Sequence, residues 1–346
     1  MSKRIAWGIL GTGLIANVFA KGVRESKTGM LTAVASRNQE TANQFGEKWN
    51  IPRRYNSYEA LIADESVQAV YIATPHSMHA KWTIQAARAG KHILCEKPIA
   101  INARQAEAII EAARQHDVFL MEAFMYRCHP QTTKLIQLIR DKAIGEVRLI
   151  QATFSFYAQV SPQHRLLNNA LGGGGILDVG GYCTSIARLI AGAALHKNVA
   201  EPLQVQGAGH IDEQSRVDEY ASALLTFPDD ILAQLFAGVQ AYGENVVRIF
   251  GTEGSLYIPN PWTPGYEGRN ASIVITRDEG KQVEEIMLEA TTNLYAIEAD
   301  TVAEYLEARQ APFVTWQDTL GNMQTLDRWR NAIGLVYDDE QAESSQ

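Results

Sequence analysis

The first third of the chain alternates short apolar runs with amphipathic stretches. Residues 4–10 are apolar and run into glycine, as buried parallel strands do, whereas residues 14–25 repeat their apolar positions with the period of a helix. The same alternation continues to residue 122. The predicted strands lie at 4–10, 31–36, 67–73, 92–95 and 118–122, and the predicted helices at 14–25, 39–49, 77–89 and 103–115. Regular strand–helix alternation predicts an α/β unit with a parallel sheet covered by helices on both faces.

The pattern changes after about residue 125. A predicted helix at 129–142 is followed by residues 147–157, in which Ile150, Ala152 and Phe154 alternate with polar side chains. This two-residue period predicts a strand in a sheet with one covered face. Further strand-like runs lie at 203–209, 219–227, 231–241, 245–250, 255–258, 272–277 and 283–289.

Turn residues such as Pro228-Asp229-Asp230 join several of these runs, which predicts mostly antiparallel neighbours. Two helices, at 294–309 and 317–333, complete the pattern. We therefore predict a first domain at 1–125 and an α+β domain with a large, mostly antiparallel open sheet at 126–337. The acidic and polar residues at 338–346 are expected to form a disordered tail.

Composition narrows the class of protein. With 346 residues, 46% hydrophobic and 20% charged, the chain has enough apolar mass for two cores. Its net charge of −8 argues against nucleic acid or anionic membranes as partners, and no apolar run is long enough to cross a bilayer. Cys95, Cys128 and Cys183 form no Cys-x-x-Cys pair, and the first residues run into a strand without a leader sequence. We therefore expect reduced thiols and a cytoplasmic protein.

A G-x-G-x-x-A fingerprint follows the first strand directly. It consists of Gly11, Thr12, Gly13, Leu14, Ile15 and Ala16. In such a fingerprint Gly11 permits a tight turn, Gly13 lets the backbone approach a pyrophosphate, and Ala16 lets the helix pack on the strand. Glycine-rich turns are common, but here the flanking strand, the helix and the second strand are all present at the required spacing. The first domain is therefore predicted to be a Rossmann dinucleotide-binding domain, with this loop around the pyrophosphate.

The second predicted strand ends in Ser36 and Arg37. An NAD site needs Asp or Glu at this tip to accept hydrogen bonds from the ribose 2′-hydroxyl, and the tip has neither. Ser36 can donate to a 2′-phosphate, and Arg37 can pair with it. The sequence therefore predicts a preference for NADP, with NAD still possible. The alternative is that Arg37 is only a solvated loop residue.

Four further segments form a common pattern. They are Ala73-Thr74-Pro75-His76 with His79 beyond it, the run from Gly90 that ends in Glu96-Lys97-Pro98, Glu122 to Pro130, and Gly172 to Tyr182. Together they resemble the motifs of the Gfo/Idh/MocA oxidoreductases, and the resemblance runs from about residue 4 to 335. Within that family the chain resembles the subgroup of dimeric dihydrodiol dehydrogenase, NADP-dependent xylose dehydrogenase and glucose–fructose oxidoreductase, whose substrate-domain helix also carries a tyrosine.

The resemblance implies a set of cofactor contacts and a proton-handling pair. The implied cofactor contacts after the fingerprint and the strand tip are Thr74, Pro75, His76, His79, Glu96 and Lys97. A phenol is a poor base at neutral pH unless a nearby cation stabilises the phenolate, so Lys97 is expected to activate Tyr182. Asp178 lies four residues before Tyr182 and therefore on the same face of the expected helix. We expect Asp178 to assist catalysis.

Several of these residues have structural alternatives. Tyr182 could be an ordinary core tyrosine, and Asp178 could cap the helix instead of taking part in catalysis. Arg127, Phe154 and Trp262 are candidate substrate contacts, in addition to Asp178 and Tyr182. The indole of Trp262 suits the apolar face of a sugar or an aromatic diol, and it is equally suited to pin its own loop to the sheet.

The glycine run at 172–175 is expected to be a flexible loop and not a phosphate nest, because no lysine or Ser/Thr follows it as in a P-loop. No set of His, Cys and acidic residues has the spacing of a zinc site, so no metal is expected.

The sequence thus predicts an NADP(H)-dependent dehydrogenase or reductase that transfers a hydride to or from a sugar, a sugar derivative or a trans-diol. Two alternatives remain: redox-neutral, NAD(P)-dependent glycoside cleavage through a transient keto sugar, and a non-catalytic, cofactor-binding sugar sensor. A broad sheet with few helices to cover it also predicts a homodimer formed through the second domain.

Overall fold

The computed structural model describes residues 4–288, 293–338 and 340. These residues form two compact units. The first consists of residues 4–128 and 293–320, and the second of residues 129–288, 321–338 and 340. Each unit is built around its own sheet.

The first unit contains a parallel sheet. Its strands are β1 (Ile5–Leu10), β2 (Gly29–Ala35), β3 (Arg53–Tyr55), β4 (Ala69–Ile72), β5 (His92–Glu96) and β6 (Leu120–Ala123). The helices between them are α1 (Leu14–Glu25), α2 (Gln39–Trp49), α3 (Tyr58–Ile62), α4 (His79–Arg88) and α5 (Ala103–Gln115). All neighbouring strands run parallel, in the order β3-β2-β1-β4-β5-β6. The Rossmann architecture expected from the sequence is confirmed.

The order of the strands reverses beside β1. Because β2 lies on one side of β1 and β4 on the other, the connections that leave β1 and β4 diverge at the carboxyl edge of the sheet. Open α/β sheets bind their ligands in the crevice at this point. Every residue of β1 is buried, as expected for a strand covered on both faces. The G-x-G-x-x-A turn follows β1 directly and therefore lies at this crevice.

The second unit contains a mostly antiparallel sheet. The remaining strands are β7 (Val147–Ser155), β8 (Gln204–Ile211), β9 (Asp218–Thr226), β10 (Leu232–Gly238), β11 (Val247–Gly251), β12 (Gly254–Ile258), β13 (Ser272–Arg277) and β14 (Gln282–Met287). The remaining helices are α6 (Pro130–Arg140), α7 (Gly181–Ala194), α8 (Leu294–Tyr305) and α9 (Trp316–Ile333). The sheet order is β14-β13-β12-β11-β7-β10-β9-β8, and only β10 and β7 pair in parallel. The predicted mostly antiparallel sheet is confirmed.

This sheet has one covered and one exposed face. Ile150 and Ala152 of β7 are buried on the covered face, where α7 packs. Residues 181–193 of α7 are all buried, which explains why this helix is apolar on every side. Leu224, Leu232 and Phe250 are exposed on the opposite face.

α8 belongs to the first unit, although the sequence analysis placed it in the second domain. It packs on α1 so closely that a Cβ on Gly22 would lie 2.5 Å from the Cβ of Tyr295. The predicted boundary between 125 and 126 therefore leaves out one helix of the first unit. The periodicity of apolar residues in a helix predicts which face is buried, but it does not predict which element covers that face.

The acidic tail predicted at 338–346 lies mostly outside the described residues. Two of its residues are described, and they form ion pairs: Asp338 with Arg216, and Glu340 with Arg330. The expected disorder is therefore wrong for these two residues. Within the described ranges, no helix is both long enough and apolar enough to cross a membrane.

Candidate functional site

The turn after β1 requires glycine at position 11. Gly11 has a φ of +104°, and a Cβ there would lie 2.6 Å from the carbonyl oxygen of Ala73. The N–H of Gly11 donates to the carbonyl of Ala35 at 2.9 Å. The turn is thus tied to the end of β2 and pressed against the residue that follows β4.

The start of α1 is open to an anion. Gly13 is the N-cap residue without a side-chain cap, the first turn of α1 has no acidic residue, and a Cβ on Gly13 would meet nothing within 4 Å. Leu14 is exposed, Thr12 and Ile15 are half-buried, and Ala16 is buried. An uncapped helix N-terminus with this much space suits a pyrophosphate.

Asn17, which the sequence analysis did not single out, holds this loop in place. Its Nδ2 donates to the carbonyl of Gly13 at 2.9 Å. Its Oδ1 accepts from Lys48 Nζ at 2.9 Å and from Trp49 Nε1 at 3.0 Å. One amide therefore connects the glycine loop to the end of α2.

The tip of β2 offers a hydroxyl group and a cation. Ser36 is buried, and its N–H donates to the carbonyl of Tyr55 at 3.1 Å. Arg37 is exposed. Burial raises the pKa of Tyr58 and the charge of Arg37 opposes that rise, so the guanidinium lies near the Tyr58 hydroxyl. The two residues predicted to read a 2′-phosphate are adjacent at this edge of the sheet.

The turn after β5 is held by buried side chains from both neighbouring strands. Tyr71 of β4 donates its hydroxyl to Glu96, and the N–H of Ile99 donates to Oε1 of Glu122 on β6 at 2.9 Å. The N–H of Lys97 donates to Oε2 of Glu96 at 3.3 Å. Lys97 is half-buried within this turn. The backbone that carries Lys97 is therefore fixed on both sides.

A second carboxyl group, missed by the sequence analysis, lies near Glu96. Glu298 of α8 is completely buried, and neither of its oxygens has a hydrogen-bond partner among the described residues. Burial raises the pKa of Glu298 well above its usual range, and the charge of Glu96 adds to the rise. Burial at this position therefore favours the neutral form of Glu298.

His79, a cofactor contact that the resemblance implies, bridges two loops. It is completely buried, and its two ring nitrogens lie 2.7 Å from the carbonyl oxygen of Pro98 and 2.9 Å from that of Thr74. The enclosed side chain therefore joins the loop after β4 to the turn after β5. Thr74 remains a candidate contact, because its buried Oγ1 has no partner among the described residues. His76 is buried beside His79, and Pro75 is half-buried.

In the second unit, Asp178 lies on a π-helical turn, Ile176–Gly180, that leads into α7. Such turns are frequent at functional sites. Asp178 is buried, and its Oδ1 accepts from Nη1 of Arg165 at 3.0 Å. The helix-cap alternative for Asp178 is wrong, because the free N–H of Ile176 donates to Oδ2 of Asp218 at 2.7 Å.

Asp218 also locks the glycine run. Gly174 has a φ of +100°, and any Cβ there would clash with Oδ1 of Asp218. The hydroxyl of Tyr337 donates to the carbonyl of Gly173 at 2.6 Å. Burial raises the pKa of Asp218 to about 7, although the hydrogen bond from the Ile176 amide opposes the rise. The expected flexible loop is therefore wrong: this run is a tightly packed turn.

Tyr182 lies in an aromatic cluster with the two aromatic residues predicted to contact substrate. Its ring packs edge-on against Phe154 at 5.2 Å and at 62° to Trp262 at 5.7 Å, measured between centroids. Phe154 and Trp262 stack at 5.5 Å. Nε1 of Trp262 donates to the carbonyl of Thr153 at 3.0 Å, so this indole pins its loop to β7. Tyr182 is 5% exposed and Trp262 is 3% exposed, so both rings are largely shielded from water.

Arg127 lies in the first unit and forms a buried ion pair. Its Nη2 lies 2.8 Å from Oδ2 of Asp318, and both side chains are enclosed. Separating these partners would leave an uncompensated buried charge. The Arg127 guanidinium is therefore held by Asp318 inside the first unit, and its expected role as a substrate contact stays a prediction.

The described residues contain no candidate metal centre, and their cysteines have raised pKa values. Among those residues, no three His, Cys, Asp or Glu side chains lie close enough together to hold a metal ion. Cys95, Cys128 and Cys183 are free thiols, and burial raises the pKa of each. Because the thiolate is the reactive form, the raised pKa makes all three cysteines poor nucleophiles.

Two sequence families match the two units. Residues 5–124 match the Gfo/Idh/MocA oxidoreductase family, NAD-binding Rossmann fold, and residues 132–257 match the Gfo/Idh/MocA C-terminal domain. Trans-1,2-dihydrobenzene-1,2-diol dehydrogenase of Mus musculus is 31% identical over 342 residues, covering 96% of this chain and 98% of that protein. D-xylose 1-dehydrogenase (NADP(+)) 2 of Haloferax volcanii is 30% identical over 321 residues, covering 93% and 95%.

Among solved structures, the fold is similar to KijD10, a 3-ketoreductase from Actinomadura kijaniata in complex with NADP and TDP-benzene. The TM-score is 0.85 at 28% identity, and the match covers 96% of this chain and 98% of that chain. The same enzyme has also been solved with one lysine or one tyrosine replaced, again with TDP-benzene and NADP.

Proposed function

Because the chain belongs to the Gfo/Idh/MocA family of NAD(P)-dependent oxidoreductases, we propose that it transfers a hydride between NADP(H) and a carbinol or carbonyl group of a sugar, a sugar derivative or a trans-diol. The observation that carries this proposal is the turn Glu96-Lys97-Pro98, anchored from both neighbouring strands at the carboxyl edge of the Rossmann sheet. A lysine fixed at that edge is suited to handle the proton that accompanies hydride transfer.

NADP fits the residues of the first unit. The Gly11 turn and the uncapped start of α1 leave space and positive potential for a pyrophosphate, and the buried hydroxyl of Thr74 offers a further polar contact. The tip of β2 lacks the carboxylate that NAD would need, and Ser36 and Arg37 are suited to a 2′-phosphate. Bound there, the nicotinamide supplies the hydride chemistry.

The chain's own residues orient the substrate and move the proton. In the direction of oxidation, the phenolate oxygen of Tyr182, stabilised by the ammonium group of Lys97, accepts the hydroxyl proton and becomes the phenol; in reduction the phenol donates that proton back. Asp178, held by Arg165, assists by fixing the orientation of the substrate. Phe154 supports the Tyr182 ring and offers an apolar surface for carbon-bound hydrogens of the substrate.

The names of the full-length relatives support the substrate class. One is named as a dehydrogenase of trans-1,2-dihydrobenzene-1,2-diol and another as a D-xylose 1-dehydrogenase, so both names describe the oxidation of a carbinol. The aromatic cluster around Tyr182 suits the carbon face of either kind of molecule.

Two other functions would use the same cofactor domain. Redox-neutral glycoside cleavage would keep the cofactor bound through each cycle, and a sensor would bind cofactor and sugar without turnover. Relatives named as dehydrogenases and as a 3-ketoreductase favour net hydride transfer. A sensor has no need of a lysine and a tyrosine for proton transfer, so Lys97 and Tyr182 count against that alternative.

A homodimer formed through the exposed face of the second unit's sheet is part of the same proposal. That face carries a groove of about 650 Å³ lined by β7 to β11, and Leu224, Leu232 and Phe250 are exposed on it. A broad face with several exposed apolar side chains is typical of an interaction surface. A second copy related by two-fold symmetry would cover the same patch on both chains.

An absorbance screen tests the proposed activity. NADP or NADPH is mixed with the protein and with pentoses, hexoses, anhydro sugars, keto sugars and trans-diols, and the nicotinamide absorbance is followed. Reduction of NADP or oxidation of NADPH with one of these classes supports the proposal. Glycoside cleavage without a net absorbance change, by protein that retains nicotinamide through desalting, would favour the redox-neutral alternative. Cofactor and sugar binding without any turnover would favour the sensor.

A further inference from the structure

His79 bridges two loops at the carboxyl edge of the Rossmann sheet. Its Nε2 lies 2.9 Å from the carbonyl oxygen of Thr74, in the loop after β4, and its Nδ1 lies 2.7 Å from that of Pro98, in the turn after β5. The histidine is the first residue of α4 and is completely buried. The second loop also carries Lys97.

The two contacts determine how the ring is protonated. A carbonyl oxygen only accepts hydrogen bonds, so each ring nitrogen of His79 must carry a hydrogen for both contacts to be favourable. A neutral imidazole carries one hydrogen, and its other nitrogen would direct a lone pair at a carbonyl oxygen within hydrogen-bond distance. Only the imidazolium ion satisfies both contacts.

Two carboxyl groups also contact the same turn. Glu122 accepts from the N–H of Ile99, and Glu96 accepts from the N–H of Lys97. A buried cation is costly unless hydrogen bonds compensate it, and the carbonyl oxygens of Thr74 and Pro98 supply two of them. Hydrogen bonds to a charged donor are also roughly twice as strong as neutral ones, which suits a link between two separate loops.

We propose that Thr74 and Pro98 hold His79 as an imidazolium ion, and that His79 is a positioning residue that fixes the turn carrying Lys97. The positioning role of His79 rests on the proposed function of Lys97, whereas the charge state of His79 does not. His79 is enclosed and does not exchange a proton with substrate; it acts on the reaction only through the backbone of the turn.

Nitrogen-15 NMR of the histidine rings tests the protonation state. The wild-type protein and His79→Gln are compared at neutral pH, alone and with NADPH, and the ring signals lost in the variant belong to His79. We expect two protonated ring nitrogens. One protonated and one unprotonated nitrogen would overturn the inference.

The wild-type spectrum decides the question even if His79→Gln does not fold. The sequence contains eight histidines, and an enclosed imidazolium has two ring hydrogens that exchange slowly with water. A histidine with two such hydrogens is the expected result, and its absence would overturn the inference. Neither measurement needs a substrate, so both are independent of the proposed function.

Kinetics test the positioning role. His79→Gln and His79→Asn each place a neutral side-chain amide where the imidazolium was. That amide can donate to the carbonyl of Thr74 or to that of Pro98, so at least one of the two charged hydrogen bonds is lost. We expect kcat to fall by about tenfold to a hundredfold, the effect of such a bond, while KM for the carbinol or carbonyl substrate changes little. A purely structural role would instead reduce the folded fraction and leave kcat per folded site unchanged, which would overturn the positioning role.

The matched control is His116→Gln, which changes an exposed histidine at the end of α5 in the same unit and should keep the wild-type rate. Lys97→Ala separates the two proposals. If Lys97→Ala keeps the wild-type rate, the proposed role of Lys97 fails, and the NMR result on His79 still holds by itself.

Discussion

At the scale of single residues, the candidate residues of each unit depend on buried side chains that hold backbone in place. Tyr71 and Glu122 anchor the turn of Lys97, Asn17 anchors the glycine loop, and Asp218 anchors the turn before Asp178. Replacing them would displace a functional group without removing it.

The first prediction concerns Lys97 and Tyr182. If the phenol carries the proton, Tyr182→Phe should retain the fold and NADPH affinity but lose roughly 10²- to 10⁴-fold in kcat, the usual contribution of general acid–base catalysis. Lys97→Ala should cause a similar loss, because the phenolate is no longer stabilised. Because both residues serve one step, the double variant should be little slower than either single variant. Steady-state kinetics with the substrate from the screen measure all three.

Lys97→Arg is the matched control for charge. It retains the cation but changes its shape and reach, so it should restore only part of the rate. A Tyr182→Phe enzyme within a few-fold of the wild-type rate would assign the proton to another residue. Fully additive losses in the double variant would mean that the two side chains act in separate steps.

The second prediction concerns cofactor choice. Arg37→Ala removes the cation at the tip of β2 and should weaken NADPH binding by about 1.5–3 kcal/mol, the usual contribution of a hydrogen bond to a charged group, while NADH binding stays nearly unchanged. Nicotinamide fluorescence titrations give both dissociation constants. Arg88→Ala, at an exposed arginine in the last turn of α4, is the control and should change neither. Equal affinity of the wild-type protein for NADPH and NADH would contradict the prediction.

Local motifs identify candidate functional residues but do not always reveal their roles. Gly11 and Arg37 could be identified from the sequence, because each role requires a particular residue type at a fixed distance from the end of a strand. The sequence suited Trp262 equally to substrate contact and to anchoring its own loop. Its hydrogen bond to the carbonyl of Thr153 shows that it anchors the loop. The cap of the substrate helix comes from Asp218, on a strand far along the chain, and no local pattern could reveal that contact.

At the scale of elements, periodicity predicts the long helices and strands to within a few residues. α2 and α5 begin and end as expected, because their N-cap residues, Asn38 and Asn102, precede clear helical patterns. β3 and α3 were missed, because three and five residues are too short to show a period. The π-helical turn at Ile176–Gly180 was missed as well, since it depends on the packing of the glycine run.

The third prediction belongs to the turn that starts the substrate helix. The pKa of Asp218 is raised from 3.8 to about 7 in the folded protein, so the folded state binds this proton more tightly than the unfolded state does. Stability should therefore fall as the pH rises from about 4 to 7 and level off above 7, with a contribution on the order of 4 kcal/mol. Asp218→Asn removes the titrating group, so its free energy of unfolding should fall less over this range.

Urea denaturation of both proteins between pH 4 and 8 measures this difference. Asp230→Asn, in an exposed turn of the same unit, is the control and should follow the wild-type curve. Parallel curves for the wild type and Asp218→Asn would show that Asp218 does not titrate in this range.

At the scale of the whole molecule, the sequence pattern predicted both sheet types, because a parallel sheet covered on two faces and an antiparallel sheet covered on one leave different periodicities. It did not predict the parallel pairing of β10 with β7, since two strands with the same alternation can pair in either direction. It also assigned α8 to the wrong unit, because the contact with α1 joins segments that are distant in sequence.

The fourth prediction concerns the exposed face of the antiparallel sheet. Leu224→Glu places a charge in the centre of the proposed dimer contact, where a two-fold axis would bring two such charges together. We expect wild-type protein to have the mass of a dimer at micromolar concentration and Leu224→Glu to shift towards the monomer, as measured by light scattering. Leu203→Glu, at an exposed leucine just before β8, should remain dimeric. A monomeric wild type would refute the proposed interface.

The position of α8 also has a consequence for biosynthesis. A ribosome completes β1 to β6 early, but the helix that covers Gly22 of α1 emerges only after the whole antiparallel sheet has been made. The nascent cofactor domain therefore waits, with one apolar face uncovered, for more than half of the chain to be translated. Domains that are contiguous in sequence can close as they leave the ribosome, whereas this one has to be shielded until the late segment arrives.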